Sequence, residues 1–219
     1  MRTRALFTSA AFVLGLLACA PAARAQETDA PQVEIGVQYS SLSINLPGFR
    51  GTENAPGVGA RVTYNLTDYF AVEAEGNIFP SGTQAGHYVT GGAAQQAQFG
   101  AKVGRRFRRF GVFGKARPGV VHFSSVNEVS GYESFDFGGE TFFFPTFRDT
   151  GKTYFSMDVG GVLEFYPTSR IFTRFDVGDT MIRYPVRDSP GGAFVTPPPR
   201  LPAGLRHNLQ VTAGIGFRF

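Results

Sequence analysis

Leu209-Gln-Val-Thr-Ala-Gly-Ile-Gly-Phe-Arg-Phe219, the last stretch of the chain, alternates apolar residues with small or polar ones. A period of two places successive side chains on opposite faces of an extended strand. A tilted strand of about eleven residues is long enough to cross a bilayer. The stretch therefore predicts a membrane-spanning β-strand that ends on an aromatic residue. Its apolar face comprises Leu209, Val211, Ala213, Ile215, Phe217 and Phe219.

Seven further segments repeat the alternation, and one face of each of the eight carries no charge. A Lys or Arg that faces lipid at the bilayer midplane costs about 2–4 kcal/mol, so this face suits lipid contact. The pattern predicts an all-β fold, an eight-stranded antiparallel up-and-down transmembrane β-barrel. The seven other segments are residues 33–40, 58–64, 70–78, 97–104, 112–120, 155–165 and 171–178.

The connections between these segments alternate between short and long. Short turns are expected at 67–68, at Arg108 and at 167–170, and long segments cover 43–57, 80–94, 124–151 and 183–206. Outer-membrane barrels have short periplasmic turns and longer extracellular loops. Within the longest segment, 126–147 predicts a hairpin about Gly138-Gly139 that stands above the membrane, because both of its faces carry acidic residues.

The opposite face of the eight segments carries six acidic and six basic residues. The interior of an eight-stranded barrel is just wide enough for side chains to fill it, and charges confined there must be paired. Equal numbers favour a closed ion-pair network over a selective pore. Its predicted members are Glu34, Arg61, Glu73, Glu75, Lys102, Lys115, Arg117, Asp158, Glu164, Arg174, Asp176 and Arg218.

Aromatic residues gather at the end where the short turns lie, which predicts a girdle at that membrane interface. In the fifth segment, Pro118 removes a ladder hydrogen bond, so we expect a bulge there. The predicted girdle consists of Tyr64, Tyr69, Phe70, Phe107, Phe110, Tyr166, Phe172, Phe217 and Phe219.

The amino-terminal residues 1–25 have the pattern of a secretory signal peptide, which leaves 26–219 as the barrel domain. Arg2 and Arg4 precede an apolar run, and Ala23-Arg24-Ala25 is a small-residue cleavage site. Lipidation at Cys19 is the alternative. Loss of the leader lowers the formal net charge from +4 to +1, because three arginines leave with it. A chain so close to neutral does not predict a nucleic-acid partner.

Few residues suit catalysis. His122 and Ser124 are two apart and so share a face of a strand, and Glu128, Glu133 and Glu140 follow them. A histidine that activates a serine, with a carboxylate behind it, is a nucleophilic arrangement. Chance produces such pairs often, so we expect no catalytic residues. No metal site and no cofactor is predicted either, because the sequence has no phosphate-binding glycine loop and no zinc-spaced Cys/His set.

The chain resembles the small outer-membrane β-barrel family, the OmpA/OmpX type of eight-stranded barrels. The resemblance covers the whole mature chain and rests on Gly57-Val-Gly-Ala-Arg-Val-Thr-Tyr-Asn-Leu66, Phe110-Gly-Val-Phe-Gly-Lys-Ala-Arg-Pro-Gly119, Arg174-Phe-Asp-Val-Gly-Asp179 and the terminal Gly-Phe-Arg-Phe219. It implies a monomer in the cell outer membrane, surrounded by membrane lipids and lipopolysaccharide. It also implies that the barrel-assembly machinery recognises the last strand through Val211, Ile215, Phe217 and Phe219.

The expected function is a structural or adhesin-like role without catalysis, in which the long loops offer a surface to an extracellular partner. One alternative is a narrow pore for small solutes. The other is a lipid A-modifying enzyme, because His122 and Ser124 resemble the active-site pair of barrel-embedded lipid A deacylases. The Asn expected directly after the serine is replaced by Ser125.

Overall fold

The structure, a computed structural model, describes residues 31–45, 52–80, 92–188 and 200–219. The described residues form β-strands joined by turns. The strands are β1 (Val33–Ile44), β2 (Glu53–Asn65), β3 (Phe70–Phe79), β4 (Ala94–Arg106), β5 (Phe110–Phe137), β6 (Glu140–Phe165), β7 (Ile171–Tyr184), β8 (Arg187–Asp188), β9 (Arg200–Leu201), β10 (Gly204–Arg206) and β11 (Leu209–Arg218).

Eight of these strands close into a barrel. Each of β1 to β6 pairs antiparallel with the next strand, and β11 pairs with both β7 and β1. Strand β10 continues the register of β11 against β7, while β8 and β9 form a separate short pair. The predicted eight-stranded antiparallel barrel is therefore confirmed. No helix in the described ranges has the length and apolar character needed to span a membrane.

Side chains alternate along each barrel strand between a lipid-facing surface and a filled lumen. On β1, Val37 and Tyr39 are 61% and 55% exposed, whereas the residue that follows each of them, Gln38 and Ser40, is buried. The same alternation continues in β7, where Phe175 is exposed and the adjacent Asp176 is buried. The charge-free face identified in the sequence is thus the outer surface.

Strands β5 and β6 are 28 and 26 residues long and continue beyond the other barrel strands as a two-stranded hairpin. The turn lies at Gly138 and Gly139, whose φ angles of 66° and 86° fall in the left-handed region that favours glycine. The predicted hairpin about Gly138-Gly139 is present. Its residues form regular strands, although the sequence assigned most of them to a long connection.

The prediction of a bulge at Pro118 was wrong. Residues on both sides of Pro118 keep one register with β4 and one with β6, and the proline ring faces outward. The missing amide instead leaves a local gap in the pairing with β4, opposite Phe99. The register shifts lie higher, between Phe123 and Val126 and between Val129 and Gly131, where β5 leaves β4 and bends into the hairpin.

The aromatic girdle is present at the short-turn end, with two corrections. Tyr69, Phe217 and Phe219 are 57%, 57% and 70% exposed, as a lipid interface requires. Phe172 and Tyr166 are buried and point into the lumen. Both residues occupy positions that alternate with the lipid-facing ones, so they point inward. The clustering of aromatic residues near the short turns led to their assignment to the girdle.

The long connections are covered only in part. Residues 46–51, 81–91 and 189–199 of the loops expected at 43–57, 80–94 and 183–206 lie outside the described residues, as does the predicted signal peptide. The described parts of these loops extend β1, β2 and β7 beyond the segments predicted from the sequence.

Candidate functional site

The lumen is the candidate functional site, and its side chains form layers along the barrel axis. Charged residues fill the half nearest the short turns, followed by a layer of amides and hydroxyls and then by an apolar layer below the long connections. The layers arise because inward positions two residues apart on one strand lie at successive heights. Each of the twelve predicted network residues lies buried in this lumen.

The centre of the charged half is held by two arginines. Arg174 donates to both oxygens of Glu73, at 2.8 and 3.0 Å, and also contacts Asp176 at 2.6 Å. Arg117 donates to Asp158 at 2.6 Å and pairs with Glu73 and Glu75. Planar guanidinium groups suit this arrangement, because each presents several N–H donors in a fixed fork.

Arg61 and Lys115 complete the central layer. Lys115 Nζ lies 2.9 Å from Asp158 and 3.7 Å from Asp176. Arg61 lies at the longer distances of 3.7 Å from Asp176 and 3.8 Å from Glu75. Its closest polar contact is Gln38, to whose amide oxygen it donates at 2.8 Å. Arg61 therefore links the charged half to the amide layer.

The layer nearest the short turns is built around Glu34 and Glu164. Lys102 Nζ lies 2.5 Å from Glu164 and 3.6 Å from Glu34. Arg218, from the last strand, approaches Glu34 at 3.3 Å. Arg106 also contacts Glu34, at 3.0 Å, although it lies beyond Gly104, where the strand predicted from the sequence ends. Gly104 is on the inward face of the strand, so the next inward position is Arg106, and a prediction extended by two residues would have included it.

Tyr166 covers the charged half at the short-turn end. Its hydroxyl donates to Glu164 at 2.8 Å and accepts from Arg106 at 3.0 Å, and Arg218 lies over its ring at 4.3 Å. Burial, reinforced by the Glu164 carboxylate, raises the pKa of the Tyr166 phenol, so the hydroxyl stays protonated and continues to donate.

Above the charges, amide and hydroxyl groups bond across the lumen. Asn77 donates to Gln96 at 2.8 Å, and Gln96 exchanges hydrogen bonds with Gln210 at 3.0 Å. Gln210 in turn bonds to Ser40 and Thr180. Residues from five strands, β1, β3, β4, β7 and β11, thus meet in one network. This layer is not evident from the sequence, because uncharged polar residues on an inward face also suit a solvated strand end.

The apolar layer closes the lumen on the side of the long connections. Leu42, Phe79, Val121 and Ile182 are each fully buried, and Tyr154 packs against this cluster. The layer lies above the segments predicted as strands, so its members were assigned to loops or left unassigned. Its buried members are Leu42, Ile44, Ala55, Phe79, Ala94, Val121, Phe123, Val126, Ile182 and Tyr184.

His122 and Ser124 do not form a hydrogen-bonded pair in the structure. His122 turns toward β6, and its Nδ1 lies 2.9 Å from Thr153 Oγ1. Ser124 Oγ turns toward the residues that precede β4, so close to Gly92 that a Cβ there would lie 2.3 Å away. The register shift after Phe123 separates the two side chains. Glu128 pairs with Lys152 at 3.0 Å, Glu133 is exposed, and the side chain of Glu140 is not described.

The residues assigned to the insertion signal share the outer face of β11. Ile215, Phe217 and Phe219 are 48%, 57% and 70% exposed, and Val211 is partly exposed. Phe219 also helps to close the barrel, because its amide donates to the carbonyl of Val33 at 2.8 Å. These side chains therefore form one continuous apolar edge at the seam between β11 and β1.

The model of the family described as outer membrane protein beta-barrel domain matches residues 10–219. The sequence matches no curated protein. Among solved structures, Ail, the attachment invasion locus protein of Yersinia pestis, is 14% identical with a TM-score of 0.47, covering 87% of this chain and 99% of that one. Neisserial surface protein A is 14% identical with a TM-score of 0.47, over 85% and 96%. The N-terminal β-barrel domain of Pseudomonas aeruginosa OprF is 13% identical with a TM-score of 0.41, over 86% and 99%.

Proposed function

The chain belongs to the outer membrane protein beta-barrel family, and we propose that it is a closed membrane anchor that presents its β5–β6 hairpin at the cell surface. The role is structural or adhesive and involves no catalysis. The barrel lies in the outer membrane, surrounded by membrane lipids and lipopolysaccharide, with its short turns in the periplasm and its long connections outside.

The observation that carries this proposal is the apolar layer at the outer end of the lumen. Leu42, Phe79 and Ile182 fill the cross-section with 0% exposure. A hydrated ion would have to leave its water to cross such a layer and would then meet the paired charges beneath it. This argues against the alternative of a narrow pore for small solutes.

The hairpin supplies the surface for an extracellular partner. Phe135 and Phe144 are 59% and 47% exposed, and they are diagonal neighbours on one face of the ribbon. Exposed aromatic side chains are enriched where protein surfaces meet partners. Glu133 is the cross-strand partner of Phe144 on the same face, so the surface is apolar with an acidic edge.

Conductance across planar bilayers tests the closed anchor. We expect no steady current from the purified barrel, and reproducible unitary steps would contradict the proposal. Lipid A mass spectra from cells with and without the protein address the enzymatic alternative at His122 and Ser124. We expect identical acylation in the two samples.

Retention of expressing cells on protein-coated surfaces tests the adhesive role. We expect the double variant Phe135→Ser/Phe144→Ser to lose the retention that the wild-type protein confers. Val186→Ser is the matched control, because Val186 is 57% exposed and lies outside the hairpin. If wild-type cells are retained no better than cells without the protein, the adhesive role is wrong and a structural role remains.

We also propose that the leader 1–25 is removed and that the barrel-assembly machinery recognises β11. The outer apolar edge formed by Ile215, Phe217 and Phe219 supports the second point, because it is continuous and ends at the seam. The mature protein is expected to function as a monomer.

A further inference from the structure

Four arginines occur where neighbouring barrel strands meet the short turns, and we call them the mouth arginines. Arg106 ends β4, Arg109 precedes β5, Arg170 precedes β7 and Arg218 ends β11. Tyr166, which follows β6, lies among them: Arg106 Nε is 3.0 Å from its hydroxyl, and Arg218 Cζ is 4.3 Å from the centre of its ring. The ends of five neighbouring strands, β4 to β7 and β11, thus place cationic groups around one side of the lumen opening.

The mouth arginines lie on the inner face of the barrel wall. The side chains of Arg106 and Arg218 are only 10% and 7% exposed. The carbonyl of Arg109 accepts from the Tyr166 amide at 2.9 Å, and the carbonyl of Arg170 accepts from the Arg218 amide at 2.9 Å, so strand pairing continues to these positions. Opposite residues of an antiparallel pair share a face. Arg109 and Arg170 therefore share the inner face with their buried partners, but they are exposed at the opening.

The carboxylates at this end do not balance the cations. Glu34 and Glu164 are shared by Lys102, Arg106 and Arg218. Arg106 Nη1 is buried and has no hydrogen-bond acceptor within the described ranges. The guanidinium groups of the two exposed mouth arginines have neither an ion-pair partner nor an acceptor in the part of the chain that the structure describes. Five cations thus face two carboxylates, and the excess positive charge favours a bound anion.

We propose that the mouth arginines bind the phosphate group of a periplasmic solute. Guanidinium groups present parallel N–H donors that match the oxygens of a phosphate, and several arginines together suit a dianion better than a single carboxylate. The Tyr166 ring closes the upper side of the site, and Arg109 and Arg170 contact the anion from the open side. This site is independent of the surface role of the β5–β6 hairpin.

The position of the mouth arginines favours a solute over a phospholipid headgroup. The barrel wall separates their inner face from the surrounding lipid. On the outer face of the same end, Phe107 and Phe110 are each 40% exposed, and their stacked rings lie 4.6 Å apart. Short turns of outer-membrane barrels lie in the periplasm. The opening between the mouth arginines is therefore accessible to periplasmic solutes.

Isothermal titration calorimetry with inorganic phosphate tests the site on the purified barrel in dodecyl maltoside micelles. Arg109→Gln/Arg170→Gln removes the two guanidinium groups that make no contact within the barrel, so folding should be unaffected, and the heat-modifiable gel shift checks this. Arg105→Gln/Arg148→Gln is the matched control. It removes the same net charge from exposed positions, one opposite the lipid-facing Val112 and one on the hairpin.

We expect wild type and the control to bind phosphate equally and Arg109→Gln/Arg170→Gln to bind it about tenfold more weakly or worse, because charge-assisted hydrogen bonds are lost. The affinity of the wild type should also fall as sodium chloride is added. Absence of binding to the wild type would overturn the proposal, as would equal binding by all three proteins.

Native mass spectrometry of barrels released from nanodiscs that contain phosphatidylglycerol separates a solute from a lipid headgroup. We expect wild type and Arg109→Gln/Arg170→Gln to retain the same number of phosphatidylglycerol molecules. Fewer bound lipids in the double variant would assign the mouth arginines to a lipid headgroup and would overturn the proposal of a soluble ligand.

Discussion

Arg174 on β7 and Glu73 on β3 are 101 residues apart in the chain, and their side chains form a bidentate ion pair across the lumen. The two N–H···O distances are 2.8 and 3.0 Å, and both side chains are buried. Since β3 and β7 are separated by three strands in one direction around the barrel and three in the other, the pair joins opposite walls. The ion pair thus fixes the barrel's cross-section.

Glu73→Gln should destabilise the barrel strongly. The substitution removes one charge from a buried network and leaves Arg174 and Arg117 each without part of their compensation. Breaking a buried pair in this way costs about 3–5 kcal/mol. The urea midpoint for unfolding from lipid vesicles measures this loss.

Glu128→Gln is the control for that experiment. Glu128 pairs with Lys152 at 3.0 Å on the hairpin, where both side chains are 38% exposed. Solvent screens such a pair, so we expect a loss of at most about 1 kcal/mol. Similar shifts of the urea midpoint in the two variants would contradict the conclusion that the buried ion pairs of the lumen stabilise the barrel.

Two adjacent glycines on β6 give a sharper test of lumen packing. A Cβ added at Gly160 would lie 2.1 Å from the carbonyl oxygen of Val177 and 2.5 Å from the Cα of Gly178, whereas one added at Gly161 would meet nothing within 4 Å. Gly160→Ala should therefore force β6 and β7 apart, at a cost of about 1–3 kcal/mol. Gly161→Ala should be close to neutral.

Thermal unfolding followed by the heat-modifiable shift on a detergent gel compares these two alanine variants. Neither glycine has a positive φ, so backbone strain does not confound the comparison. Equal stability of the two variants would show that β6 and β7 approach each other less closely than the structure indicates.

Period-two patterning was sufficient to predict the barrel and its inward face. Each barrel strand has to keep charge away from lipid, so Glu73 and Arg174 could be assigned to the lumen from parity alone. Phe172 and Tyr166 show where a second criterion failed. Both were assigned to the girdle because aromatics cluster at the short turns, although their parity placed them inside, where the structure has them.

The apolar layer at the outer end of the lumen could not be predicted in the same way. Phe79, Ile182 and Tyr184 lie on the inward face of β3 and β7. They are apolar, whereas the inward positions nearer the short turns carry charge. In the sequence, this change from charged to apolar inward residues resembles the end of a strand. Only the closed geometry shows that these residues converge from different strands into one layer. Arg106 was missed for a simpler reason, since its strand continues two residues beyond the predicted end.

Phe79→Ala should open a cavity in the apolar layer. Phe79 is fully buried among apolar neighbours, and truncation of a buried Phe costs about 3–5 kcal/mol. Phe135→Ala serves as the control, because Phe135 is 59% exposed on the hairpin. The urea midpoint should fall for the first variant and stay near wild type for the second. Equal urea midpoints for the two variants would mean that packing in the apolar layer does not stabilise the barrel.

Deletion of Phe219 should impair assembly in cells more than it impairs the folded barrel. Its side chain is 70% exposed. Its backbone makes two hydrogen bonds to Val33, because its amide donates at 2.8 Å and its carbonyl accepts at 3.4 Å. Loss of these two terminal bonds lowers stability by only about 1–3 kcal/mol, so refolding into vesicles should remain efficient. In cells, loss of the terminal aromatic should reduce the amount of barrel in the outer membrane. Phe107→Ala, which removes another exposed aromatic at the same membrane interface, should leave that amount unchanged. Normal outer-membrane levels of the truncated chain would refute a role for Phe219 as an insertion signal.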